Sequence, residues 1–337
     1  MEFLYEYGLF FAKTITFVIA TIAVVTIVVA SSVKPKSKKG EIVVDDLSEQ
    51  LTELKDSFIS STLSKKELKT YQKKQKAEAK KTEPAPLPRL YVIDFNGSVD
   101  AHEVDSLREE ISAILTFADK EKDSVLVRLE SGGGVVHGYG LAASQLQRLT
   151  KADINLTVAI DKVAASGGYM MACVANKIVA APFAIVGSIG VIAQIPNFNK
   201  ILKKNDIEFE QITAGDYKRT LTLFGENTDK GREKFKEEIE QTHGLFKSFV
   251  TQQRPSLDIE AVATGEHWFA TQALDKGLVD EINTSDDVLM AQYENKQIFK
   301  VSYKIKKNLS DKFAIGLSSS LNRAGVALYS HFSKLKP

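Results

Sequence analysis

The chain has 337 residues, 44% of them apolar and 26% charged, an ordinary globular balance that excludes wholesale disorder. Lys and Arg number 44 against 43 Asp and Glu, a net charge of +1, which excludes a nucleic-acid binder that works by bulk charge. One cysteine, Cys173, excludes an intrachain disulfide and a cysteine metal cluster.

Thr14–Val33 is a run of 20 residues without a charge. As a helix it spans about 30 Å, the thickness of the hydrocarbon core of a bilayer. Phe10, Phe11 and Ala12 extend it, with Lys13 able to snorkel to the interface. A signal peptide would carry a positive leader and a shorter apolar region, whereas Glu2 and Glu6 stand first here. The segment 1–33 therefore reads as an uncleaved anchor in contact with membrane lipid. Lys34, Lys36, Lys38 and Lys39 follow, and the positive-inside rule would place the rest of the chain in the cytoplasm.

Residues 34–88 are polar. Between Ser64 and Glu83 eight lysines stand against three glutamates, the pattern of a solvated, partly helical stalk. Attraction to anionic lipid headgroups is the alternative reading. Pro84, Pro86 and Pro88 stop any helix and mark a boundary.

A folded domain is expected over 89–285. Strands are predicted at Arg89–Phe95, Ser124–Leu129, Leu156–Ile160, Lys177–Ala180 and Ile207–Thr213. Helices are predicted at Glu103–Asp119, Gly138–Thr150, Tyr169–Ala175 and Thr228–Arg254. On the last of these, Phe235, Ile239, Phe246, Phe249 and Val250 share one face, either a core stripe or an oligomer contact. This alternation predicts an α/β fold with a parallel sheet and its chemistry in the loops at the strand C-termini. Residues 286–337 read as a basic, loosely held tail.

Two glycine-rich loops follow predicted strands: Ser131-Gly132-Gly133-Gly134, and Ala164-Ala165-Ser166-Gly167-Gly168. Neither has the spacing of a phosphate-binding loop. Ser166 sits between small residues where a strand passes into a helix, so its hydroxyl is exposed and neighbouring amides lie at a helix N-terminus. A helix-capping serine is the plain alternative. A nucleophilic serine needs a base. His137, with Asp161 as a carboxylate partner, is one candidate, although no spacing supports a triad. Lys218, in Ala214-Gly215-Asp216-Tyr217-Lys218-Arg219-Thr220, is the other. A lysine acts as a base only when its pKa falls from about 10.4 to about 7–8, which desolvation can supply.

The segments LESGGGVVHGYGLAASQLQRL, DKVAASGGYMMACVANKIVAAPFAIVGSIGV, AGDYKRTLTLFGENT and HWFATQALDKGLVDEI resemble the signal-peptide-peptidase A family of Ser–Lys peptidases, family S49. The resemblance implies a ClpP/crotonase-like spiral of ββα units, preceded by one transmembrane helix. It implies Ser166 as nucleophile, Lys218 as general base and Ser188 as the residue that orients the lysine. It implies Gly133, Gly134 and Gly167 at the oxyanion and substrate-binding region, with no metal or cofactor. Substrates would be signal-peptide remnants or fragments of membrane-associated proteins. A homo-oligomer at the bacterial inner membrane is expected, with no nucleic-acid partner; the resemblance implies a catalytic part on the outer face of that membrane, against the cytoplasmic side that the lysines favour, so the side stays open. The family commonly has Ser-Pro-Gly-Gly where this chain has Gly132, a more freely moving residue. An acyl-thioester enzyme on the same fold, or a membrane scaffold without activity, are the alternative functions.

Overall fold

The computed structural model describes residues 7–11, 13–18, 21, 40–79 and 87–305. The chain divides into two units, residues 1–41 with 305–337, and residues 42–304. In the first unit the described residues between 7 and 21 are helical. Among the described residues no helix is long and apolar enough to cross a membrane. Most of the predicted span Thr14–Val33, and the tail from residue 306, lie outside the described residues.

In chain order the elements are β1 (Gly40–Asp46), α1 (Leu47–Thr62), α2 (Lys65–Ala79), β2 (Arg89–Asn96), α3 (Val104–Phe117), β3 (Ser124–Glu130), α4 (Val136–Lys151), β4 (Asn155–Ile160), β5 (Val163–Ala165), α5 (Gly167–Ala172), β6 (Lys177–Ala180), β7 (Ile185–Gly187), α6 (Asn199–Lys204), α7 (Asp229–Gln253), α8 (Ile259–Val262), β8 (His267–Phe269), α9 (Ala270–Asp275), β9 (Glu281–Ile282), α10 (Ser285–Gln292) and β10 (Gln297–Ile305). A seven-stranded sheet runs in the order β1-β10-β2-β3-β4-β6-β9, and a three-stranded sheet in the order β5-β7-β8.

The chain alternates between the two sheets in its central part. β4 joins the large sheet and β5 the small one, and α5 follows; β6 and β7 repeat that division. After β3, Ser131 makes a parallel bridge to Ala164 before α4 begins. β4 with β5, and β6 with β7, thus each supply one strand to either sheet. The ladders from β10 through β2, β3, β4 and β6 to β9 are parallel.

Parallel strands bury both faces, and β2 shows why its sequence is so continuously apolar. Tyr91, Ile93 and Phe95 enter the main core, while Leu90 and Val92 enter a second, smaller core on the other face. Helices α3 and α4 cover the first face with Leu107, Ile111, Ile114, Ala142, Ala143 and Leu146. Their three- and four-residue spacing makes one apolar stripe on each helix. On α7 only Phe246 and Val250 of the predicted stripe are fully buried.

Three sequence expectations change. The strand expected at Ile207–Thr213 does not form, and the segment is irregular and exposed. Ile207 and Phe209 alternate with acidic residues as a strand would, but no sheet edge runs alongside to accept the ladder. The polar region 34–88 is not only a stalk, because β1 joins the large sheet and α1 lies on its second face. Leu47 packs on the smaller core, the Ile298 amide donates to Ser48 Oγ at 2.7 Å, and Thr52 Oγ1 lies 2.7 Å from Tyr293 Oη. The domain also continues past residue 285. β10 inserts between β1 and β2, with Ile298 fully buried. Sequence distance hid this pairing, since its partners lie about 200 residues apart, while local periodicity reaches only a few turns. Ile298→Ala should therefore cost about 2–5 kcal/mol, read by denaturant unfolding of the full chain. A loosely held tail would show almost no change.

Candidate active site

Ser166 ends β5 and caps α5. It is a non-glycine residue at φ 51° and ψ −118°. That combination matches the first central position of a type II′ turn, about 60° and −120°, where glycine dominates because a Cβ crowds the backbone. The backbone is fixed from both sides. The Ser166 amide donates to the Gly187 carbonyl at 2.8 Å, and the Met170 amide donates to the Ser166 carbonyl at 3.0 Å. The capping alternative fails on geometry, because the Ser166 side chain makes no capping hydrogen bond to α5.

The ladder between β5 and β7 pairs Ala165 with Gly187. One step beyond that last pair stand Ser166 and Ser188. Ser188 is also held at positive φ, 52°, and its amide donates to the Glu266 carbonyl at 2.6 Å. Two serines in strained backbone thus end neighbouring strands.

Gly133 has φ 87°, and a Cβ there would stand 2.7 Å from Ser166 Cβ and 2.8 Å from the Gly167 amide nitrogen. The loop 132–134 therefore touches the serine turn. The Gly133 amide donates to Ser131 Oγ at 3.1 Å. Among the described residues the Gly134 and Gly167 amides have no protein acceptor. Gly167 lies on the buried Tyr139 ring, where a Cβ would come within 2.3 Å of Tyr139 Cγ. Beside Ser166 is a cavity of about 70 Å³, lined in part by Val136, Met170, Val191, Ile192 and Phe246. It is small and chiefly apolar.

The structure brings together Ser166, Ser188, Gly133, Gly134 and Gly167. It places Lys218 elsewhere. Lys218 is exposed, in a turn closed by its own amide donating to the Gly215 carbonyl at 3.2 Å. Among the described residues its Nζ has no hydrogen-bond or ion-pair partner. Next to it, Tyr217 lies under Lys230 and Lys234 of α7, at 5.6 and 5.2 Å from the ring centre. The rival base is not assembled either. His137 is exposed in the first turn of α4, and Asp161 instead accepts from the Ser285 amide at 2.8 Å and from the Ser285 hydroxyl. Cys173 is buried, and burial pushes its thiol pKa far up, so it stays protonated. Among the described residues no group of His, Cys, Asp and Glu is arranged to hold a metal ion. Sequence reasoning gave no site role to Tyr139, Ser131 or Phe246, although Ser131 opens the first glycine loop and Phe246 lies on the apolar stripe of α7; only the fold brings them near Ser166.

Residues 2–146 match the family described as Peptidase family S49 N-terminal, and residues 148–298 match Peptidase family S49. A probable protease SohB of Haemophilus influenzae is 51% identical over 328 residues, covering 93% of this chain and 92% of its own. A probable protease SohB of Buchnera aphidicola from Schlechtendalia chinensis is 52% identical over 307 residues, covering 87% of this chain and 100% of its own. A solved membrane protease of Pyrococcus horikoshii, specific for a stomatin homolog, shows a loose likeness. It has a TM-score of 0.39 and 11% identity, over 68% of this chain and 98% of that one. Two adjoining family matches and half-identical relatives over nearly the full length leave one assignment: this chain belongs to peptidase family S49 and is a serine peptidase.

Proposed function

We propose that Ser166 is the nucleophile of a Ser–Lys endopeptidase, with Lys218 as general base and Ser188 orienting the lysine amine. The observation that carries the reading is the backbone strain at Ser166, next to two amides without protein acceptors. Such strain costs about 1–3 kcal/mol and persists only where surrounding structure over-determines it. The Gly134 and Gly167 amides are the oxyanion donors. Gly133 contributes close contact instead, since its own amide is committed to Ser131.

In the proposed reaction neutral Lys218 takes the Ser166 proton as Oγ bonds to the peptide carbonyl carbon. The carbonyl electrons become an oxyanion held by backbone amides. The lysine ammonium then gives its proton to the leaving amine as the C–N bond breaks. A water molecule, deprotonated by the same lysine, hydrolyses the acyl-enzyme and restores the serine. The cavity beside Ser166 favours a small aliphatic side chain before the scissile bond. Fragments of signal peptides and membrane proteins are rich in such residues.

Lys218 must leave bulk water to act. It sits on an arm, residues 190–228, that exposes much apolar surface: Ile192 is 79% exposed and Ile212 is 94% exposed. Phe198, Phe209 and Phe224 of the arm are exposed too and their rings cluster, and soluble monomers rarely leave contiguous apolar patches uncovered. This supports a homo-oligomer in which a second copy covers the arm, and in which the lysine reaches a serine hydroxyl and is dehydrated. The uncharged segment 14–33 supports a single-pass anchor at the inner membrane.

A fluorophosphonate probe should label the full-length protein, and Ser166→Ala should abolish both labelling and peptide hydrolysis. Lys218→Met should lower kcat by at least about a hundredfold; retained turnover there, with loss in His137→Ala, would overturn the base assignment. Peptides with Ala before the scissile bond should show kcat/KM at least about tenfold above those with Phe, measured by fluorogenic cleavage. Gly133→Ala should cut kcat/KM by about a hundredfold, because its Cβ meets the nucleophile turn. Gly132→Ala, whose Cβ meets nothing within 4 Å, should stay within about twofold in the same assay.

A further inference from the structure

A hydrogen-bond chain under the nucleophile turn takes no part in the proton transfers above. Tyr139, fully buried on α4, donates its hydroxyl to the Ser98 carbonyl at 2.8 Å. A carbonyl only accepts, so that bond uses the one phenolic proton. The contact between Tyr139 Oη and Ser131 Oγ must then use the Ser131 proton. This leaves the Ser131 oxygen as an acceptor, and it takes the Gly133 amide at 3.1 Å. The direction is thereby set through four groups: Gly133 N–H, Ser131 O–H, Tyr139 O–H, Ser98 C=O.

The chain clamps the loop on one side of Gly134. On the other side the Val135 amide donates to the Val99 carbonyl at 2.8 Å. Two flanking amides are committed, and the amide between them is left to face a ligand. Ser131 is itself bolted to the strand that carries the nucleophile. Its amide donates to the Val163 carbonyl at 2.9 Å, and its carbonyl accepts from Ala165 at 3.0 Å. Ser131 is 2% exposed, so water does not compete for these bonds. Burial also pushes the Tyr139 phenol pKa upward, so it remains a donor through the neutral range. Gly132 supplies no stiffness of its own, and the rigidity of the loop has to come from elsewhere.

We infer that Tyr139 and Ser131 are positioning residues for hydrolysis, a buried hydroxyl relay that preorganises the oxyanion loop. The inference rests on the reading of Ser166 as nucleophile and of the Gly134 and Gly167 amides as oxyanion donors. Tyr139 borders the cavity beside Ser166, but it is fully buried and its hydroxyl is committed to Ser98 and Ser131. The two relay residues act by holding an amide where charge develops, which affects the transition state more than the ground state.

Tyr139→Phe tests it in the full-length protein, because it keeps the ring under Gly167 and removes only the hydroxyl. With an Ala-containing fluorogenic peptide, kcat should fall by about tenfold while KM stays within about twofold. Fluorophosphonate labelling of Ser166 should slow by a similar factor. Ser131→Ala should behave alike, and the double variant should be no slower than the worse single one, since both cut the same chain. Wild-type kcat in Tyr139→Phe overturns the relay, as do additive losses in the double variant or a KM that rises with no change in kcat. If Tyr139→Phe fails to fold, by circular dichroism and melting, Ser131→Ala decides on the same kcat and KM criteria. Ser166→Ala separates the two levels of inference. A Ser166→Ala protein that still hydrolyses peptide sinks the nucleophile reading, whereas an inactive one alongside an undiminished Tyr139→Phe sinks the relay alone.

Discussion

The hydrogen bond from the Ser166 amide to the Gly187 carbonyl, with the first turn of α5 on the other side, holds a side-chain-bearing residue at φ 51° and ψ −118°. That conformation is unfavourable by itself, so the surroundings must leave no relaxed alternative. They do this by crowding. Gly133 abuts Ser166 Cβ, and Gly167 rests on the Tyr139 ring. Tyr139 is immobilised in turn by the packing of α4 on the large sheet. Release of any one of these lets the serine turn relax and its neighbouring amides turn away.

The alternation of the chain between the two sheets explains why these groups converge. β4 and β6 each pass the chain on to the small sheet and β3 passes it to the Ser131 bridge, so the ends of β5 and β7 and that bridge fall side by side. Loops that follow strands of a parallel sheet gather at one edge. Here that edge brings together the Ser166 turn, the loop 132–134 and Ser188. The rigid core lies directly beneath, which suits a site whose function is to hold backbone amides in place before charge appears.

The lysine arm obeys different physics. It carries exposed apolar side chains, and its helix α6 is tied to the turn near Phe224 by the Asn197 and Asn199 amides, the Phe198 amide to the Leu223 carbonyl, the Lys203–Glu226 ion pair and the Phe198–Phe224 ring contact. A basic amine needs dehydration, and dehydration needs a cover that the arm does not provide. The backbone around Ser166 is thus fixed by hydrogen bonds on both sides, whereas Lys218 is exposed.

Local chemistry was readable in the chain. The strands of the large sheet from β2 to β6, the helices α3, α4 and α7, both glycine loops and the position of Ser166 follow from periodicity and from small residues placed at a strand-to-helix turn. Those signals act over a few residues, and a linear sequence carries them in full. The tertiary structure alone decided what meets across distance. It placed β1 and β10 in the sheet, although they flank the domain in sequence, and it left Ile207–Thr213 unpaired despite its strand-like alternation. It also stacked Tyr139 under Gly167 and joined it to Ser131 and Ser98. Hydrogen-bond partners and close backbone approach depend on three-dimensional proximity, which no spacing in the sequence encodes.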